Sequence, residues 1–105
     1  FYIGDEMLFP LENLVLTVLY KKEMYGYEIL KEVEKLSAGY FRPKSGTLYP
    51  ILKRLEKKNL ISAEFRELNG NSKKYYYLTD RGFKELEKSW RMVSKLVDFR
   101  AKYKI

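Results

Sequence analysis

Ser45-Gly46-Thr47-Leu48-Tyr49-Pro50-Ile51-Leu52-Lys53-Arg54-Leu55-Glu56-Lys57-Lys58 is the stretch whose reading decides the fold. Leu48, Ile51, Leu52 and Leu55 recur at the helical spacing and share one face. Gly46, Tyr49, Pro50, Lys53, Arg54 and Lys57 share the opposite face, so one side packs and the other is basic. The helix is expected to begin near residues 45–47, where the hydroxyl of Ser45 or Thr47 can cap it, and to run to about Lys58. Pro50 then falls in or near the first turn, where its missing N–H costs little.

On the amino-terminal side, Leu11, Leu14, Val15, Val18 and Leu19 mark the buried face of a first helix, with Pro10 suited to its first turn. After a polar break at residues 21–23, Ile29, Val33 and Leu36 give a second amphipathic helix with Tyr25 and Tyr27 at its start. Gly39 and Pro43 close it and leave an extended link between them. On the carboxyl side, Ile61, Ala63 and Phe65 alternate with Ser62, Glu64 and Arg66. The turn signal Asn69-Gly70 follows, then the strand-forming run of residues 75–78, which together predict a β-hairpin. A strand alternates faces, so most of Tyr75, Tyr76 and Tyr77 are expected in the core, with another ring left to meet phosphate or support the hairpin. Thr79 and Asp80 cap a last helix that can continue through Tyr103. The order of three helices, hairpin and helix is mainly α with a β-hairpin wing. It is that of a winged helix-turn-helix domain over residues 1–78, followed by a C-terminal dimerisation helix over residues 79–105.

Composition narrows the function. At 105 residues the chain is a single domain, and 46% hydrophobic with 16% aromatic residues is enough apolar material to fold. Without cysteine or histidine it lacks thiolate and imidazole ligands, thiol nucleophiles and the usual general base. No spacing forces two carboxylates together and no glycine loop is built to cradle phosphate, so we expect no enzyme, no metal site and no cofactor. The apolar run at residues 14–19 is far too short for a bilayer span, and the opening residues carry no signal-peptide pattern. The sequence reads as cytoplasmic, with no membrane partner.

A net charge of +7 expects a polyanionic partner. Between Arg42 and Lys74 stand nine basic residues against three acids, so nearly all the excess lies in one third of the chain. Tyr49, Lys53 and Lys57 form a stripe at successive helical turns. Lys44, Ser45, Gly46 and Thr47 at the amino end let backbone approach phosphate, and Pro50 and Arg54 complete the face. Tyr25, at the head of the second helix, belongs to the same set. Asn71, Ser72, Lys73 and Lys74 are expected in a protruding loop, with each lysine neutralising one phosphate of double-stranded DNA. The same basic surface also fits a protein-interaction module with an acidic partner.

The last helix carries two apolar stripes: Phe83, Leu86, Trp90, Val93 and Val97, and Met92, Leu96, Phe99 and Tyr103. A helix docked only on its own domain needs one, so the second predicts a homodimer. Its seam is expected at Leu11, Val15, Trp90, Val93, Leu96 and Val97. Trp90 reads two ways, as interface packing or as a platform on which a planar aromatic effector stacks beside Val93 and Ser94.

Three blocks then line up: residues 25–29 (Tyr-Gly-Tyr-Glu-Ile), residues 46–56 within the opening stretch, and residues 74–82 (Lys-Tyr-Tyr-Tyr-Leu-Thr-Asp-Arg-Gly). Their order and spacing resemble the PadR family of bacterial and archaeal transcriptional regulators, over residues 11–83 or so. The single C-terminal helix is similar to that of the small subfamily that includes a multidrug-responsive repressor. That resemblance implies a homodimeric repressor relieved by planar drugs held between paired tryptophans. In that subfamily member an acidic residue stands four positions after the tryptophan; this chain has Ser94 and brings no charge to favour a cation.

Overall fold

The computed structural model describes residues 2–3, 6–7 and 11–103. Pro10 lies outside the described residues. Two short strands, β1 (Tyr2–Ile3) and β2 (Glu6–Met7), pair antiparallel ahead of the main body.

The apolar spacing of α1 (Leu11–Lys21) buries Leu11, Val15, Leu16, Val18 and Leu19 on one side. α2 (Gly26–Leu36) turns Ile29 and Val33 toward them, and α3 (Ser45–Lys57) adds Leu48, Ile51, Leu52 and Leu55. These side chains join Met24, Ile61, Tyr76 and Leu86 in one continuous core. At the head of α2, the backbone N–H of Tyr25 donates to Glu28 Oε1 at 3.2 Å, which satisfies one orphan donor of the first turn.

The start of α3 corrects the expected cap. The capping residue is Lys44, whose carbonyl accepts from the N–H groups of Thr47 and Leu48 at 2.9 Å, and no side chain caps the helix. Ser45 and Thr47 are therefore helical residues, and Pro50 sits in the second turn. Its missing N–H deprives the Gly46 carbonyl of a helical donor, which water can supply because both residues are exposed. At the other end, Asn59 takes the left-handed conformation (φ 59°) and Leu60 N–H reaches back to Leu55 O at 3.0 Å, closing the helix as a Schellman motif.

β4 (Ile61–Leu68) and β5 (Asn71–Leu78) pair antiparallel from Ile61↔Leu78 to Leu68↔Asn71. Asn69 (φ 52°) and Gly70 (φ 80°) make the two-residue turn that their identities predict. Pairing continues up to that turn, so residues 71–74 are strand and not the protruding loop expected of them. A third strand, β3 (Met24–Tyr25), adds to the far edge of β5 and gives the order β3-β5-β4. Of the three successive tyrosines only Tyr76 enters the core; Tyr75 and Tyr77 lie on the other face of β5, half-buried. The expectation of mostly core tyrosines fails because strand alternation allows only the middle ring inside.

α4 (Asp80–Tyr103) starts under a side-chain cap, Gly82 N–H donating to Thr79 Oγ1 at 3.0 Å. Its first half packs on α1, and its second half leaves the body. The chain measures 56 × 28 × 26 Å with a radius of gyration of 15.1 Å, against about 13 Å for a compact chain of this length. The whole is a winged helix-turn-helix with an extended C-terminal helix.

Candidate nucleic-acid interface

The basic face of α3 is open. Lys44, Ser45, Gly46, Thr47, Tyr49, Pro50, Lys53, Arg54 and Lys57 are all exposed, as the helical spacing requires. Their charges are not equivalent. Lys44, Lys53 and Lys57 pair with no described carboxylate. Arg54 turns back to α1, where its Nε donates to Glu12 Oε1 at 2.6 Å, and Lys58 Nζ lies 4.0 Å from the other oxygen of Glu12. The half-buried Glu12 thus compensates Arg54, which leaves Lys53 and Lys57 uncompensated on the stripe with Tyr49, and Lys44 at its amino end.

Tyr49 approaches the first turn of α2 so closely that a Cβ on Gly26 would collide with its hydroxyl. Only glycine allows that contact without moving the ring. Tyr25, Gly26, Tyr49, Lys73, Lys74 and Tyr76 contribute to a cleft of about 320 Å³ between the helical body and the wing. Sequence order separates these residues by up to half the chain, and the β3–β5 pairing brings them together.

The outer face of the sheet carries a ladder of cations and rings. Lys73 Nζ sits 4.0 Å from the centroid of Tyr25, Tyr25 meets Tyr75 edge-on at 5.6 Å, and the Arg66 guanidinium lies 4.8 Å from the ring of Tyr75. Arg66 also donates twice to Glu23, at 2.7 and 2.6 Å, and through Nε to Glu64 at 3.0 Å. Those bonds raise the Arg66 pKa, and the bond from Arg66 holds the Glu23 carboxyl below its usual range. On the inner face, Lys74 Nζ lies 3.2 Å from Glu56 Oε1 in the last turn of α3. That hydrogen bond raises the Lys74 pKa, while burial raises that of Tyr76 beside it. Asn71 and Ser72 are exposed near the turn, and Lys73 and Lys74 are half-buried.

Arg66, Glu23, Glu56 and Glu12 were not singled out from sequence. Arg66 could have been: a two-residue turn at Asn69-Gly70 fixes the register and places Arg66 directly opposite Lys73. The three acids pair across long sequence separations, for which spacing gives no signal.

The residues assigned to the last helix divide. Trp90 is half-buried and meets Tyr20 edge-on at 5.1 Å, and Tyr20 stacks on Phe83 at 5.1 Å. Val93 is half-buried and Ser94 exposed, while Leu96 and Val97 are 63% and 60% exposed. Leu11 and Val15, expected at a subunit seam, are 7% and 0% exposed, so they are core residues of the protomer with almost no surface to give a partner.

The family model for the transcriptional regulator PadR-like family matches residues 15–88. The chain belongs to the PadR-like family of transcriptional regulators. It is similar to the solved structure of smu.1704 from Streptococcus mutans UA159, at 36% identity with a TM-score of 0.70, over 94% of this chain and 97% of that one. It is also similar to Bacillus subtilis PadR, solved in complex with operator DNA, at 30% identity with a TM-score of 0.68 over 76% of this chain and 46% of that one. Among curated proteins it is 35% identical over 83 residues to the transcriptional regulator YqjI of Escherichia coli, over 79% of this chain and 39% of YqjI. The chain thus matches less than half the length of the latter two relatives. The PadR-like assignment is to regulators and not to enzymes. Among the described residues, no helix is long and apolar enough to cross a membrane.

Proposed function

We propose that this PadR-like chain is a homodimeric, sequence-specific DNA-binding repressor. The observation that carries this is the stripe of Tyr49, Lys53 and Lys57 on α3, its lysines uncompensated, with Lys44 at the amino end and Lys73 on the adjacent wing. A helix enters the major groove, and cations on a neighbouring ribbon follow the phosphates. On this reading residues 1–78 carry the DNA contacts and residues 79–105 join the protomers. A second copy covers Leu96, Val97, Met92 and Phe99, the exposed apolar surface of α4. Two identical reading heads then select an inverted repeat with half-sites about 34 Å apart, or a multiple of that.

Relief of repression is assigned to a planar aromatic effector stacked at Trp90, beside Val93 and Ser94. Supporting this, Trp90 retains exposed ring surface at the edge of an aromatic cluster with Tyr20 and Phe83. A ligand there shifts DNA binding only by its preference between the DNA-bound and free dimers. Neutral flat rings are expected to bind as well as cationic ones of equal size, because Ser94 supplies no charge.

Selection from a random duplex pool tests the main reading. We expect enrichment of an inverted repeat, and an altered base preference for Lys53→Ala. Enrichment of no duplex overturns it. For the effector, titration with flat dyes is expected to quench Trp90 fluorescence, and operator DNA is expected to weaken that binding. Absence of quenching by every dye leaves Trp90 as packing.

A further inference from the structure

Lys73 and Lys74 are neighbours in sequence with the same charge, yet strand alternation sends them to opposite faces of β5. Lys73 lies on the outer face with its ammonium over the ring of Tyr25 and no described carboxylate beside it. Its charge is matched by a ring face and by no described carboxylate, so it stays positive at the rim of the cleft, which Lys74 also lines. Lys74 lies on the inner face, 3.2 Å from Glu56 of α3 and 5.3 Å from the ring centroid of the core residue Tyr76. The Lys74 and Glu56 side chains are 37% and 32% exposed, so the pair is half-buried between the two elements it bridges.

We infer that Lys74 is a positioning residue, fixing the angle between α3 and the wing through Glu56, and that Lys73 alone of the two neutralises phosphate. This rests on the DNA-binding reading above and departs from the expectation that both lysines sit on the backbone. The physical reason is charge balance. A lysine already matched by a carboxylate brings no net positive charge to a phosphate, and releasing it would cost the pair. What the pair supplies is rigidity between two elements that must meet the duplex together, which lowers the ordering cost of binding.

The test is the dependence of DNA affinity on salt, measured on a duplex that the wild-type protein recovers from a random pool. Lys73→Ala is expected to reduce the slope of log K against log salt by about one. Lys74→Ala is expected to keep the wild-type slope while weakening binding about two- to fivefold at every salt concentration. The exchanged pair Glu56→Lys with Lys74→Glu is expected to recover most of the affinity that Lys74→Glu alone loses, because a positioning pair works in either polarity. It keeps the question answerable if Lys74→Ala does not fold. A Lys74→Ala slope reduced as much as that of Lys73→Ala, or an exchanged pair as weak as Lys74→Glu, overturns the inference. Failure of the wild-type protein to recover any duplex overturns the DNA-binding reading and the inference with it. That outcome is distinct from a bound duplex on which the two lysines behave alike.

Discussion

The two halves of α4 belong to one continuous helix, yet the outer half, the richer in apolar side chains, is the less covered. Residues 80–90 are fixed from several directions: the Thr79 cap, Gly82 against the Leu60 carbonyl, Leu86 in the core, and a hydrogen bond from Asn13 of α1 to Ser89. Among the described residues, little packs against the apolar side chains of residues 91–103. Val93 is half-buried, Leu96 and Val97 are exposed, and the exposed Phe99 meets the ring of Tyr103 of its own helix at 4.7 Å. The contrast teaches that an apolar stripe states only that a face must be covered. What covers it, the same protomer or another, depends on where the helix leaves the body.

The largest effect that would break this comparison concerns the outer half. In the proposed dimer, Leu96→Glu with Val97→Glu places four charges where four apolar side chains meet a partner, each worth about 1.5–3 kcal/mol when buried. Sedimentation is expected to show a monomer, and circular dichroism a retained fold. A dimer that persists moves the seam elsewhere on the molecule. The next effect concerns the inner half. Gly82→Ala drives a methyl into the backbone carbonyl of Leu60, which also accepts the Thr79 N–H at 3.1 Å, so it has no flexible side chain to yield. A loss of about 2–4 kcal/mol is expected in urea unfolding; a loss under about 0.5 kcal/mol, the range of ordinary surface changes, would show that α4 docks without that close approach. The smallest is Thr79→Ala, which removes one capping acceptor and is expected to cost about 1 kcal/mol in the same measurement. Because Thr79 Oγ1 also donates to Asn59 O at 2.6 Å, Thr79→Ser should restore most of the loss.

Much of the fold was legible because local chemistry and periodicity agreed. Asn69-Gly70 fixed both the turn and the register, and Leu48, Ile51, Leu52 and Leu55 fixed which face of α3 is buried. β3 was not legible, since two residues carry no alternation to detect. The cap of α3 was misread because Ser45 and Thr47 are good cap types, while the backbone turns into the helix one residue earlier, at a lysine with no capping group. In the interface, exposure of the α3 face followed from the helical wheel. The pairing of Arg54 with Glu12 and of Lys74 with Glu56 did not, because each joins elements whose meeting is set by tertiary packing. Leu11 and Val15 were assigned to a seam for the reason the two halves of α4 illustrate: periodicity names a face and not its neighbour.

The unbroken length of α4 has a mechanical consequence. A helix of 24 residues is a stiff rod of about 36 Å at 1.5 Å per residue. Rooted at Gly82 and gripped as far as Trp90, it leaves residues 91–103 as a lever arm of about 20 Å, whose tip a tilt of about 5° sweeps through roughly 2 Å, by the same rise per residue. In the dimer proposed above, clasped at the outer turns, the amplification would run in reverse, and a small wedge between the rods would swing each body, with its α3, through an arc wider than the wedge.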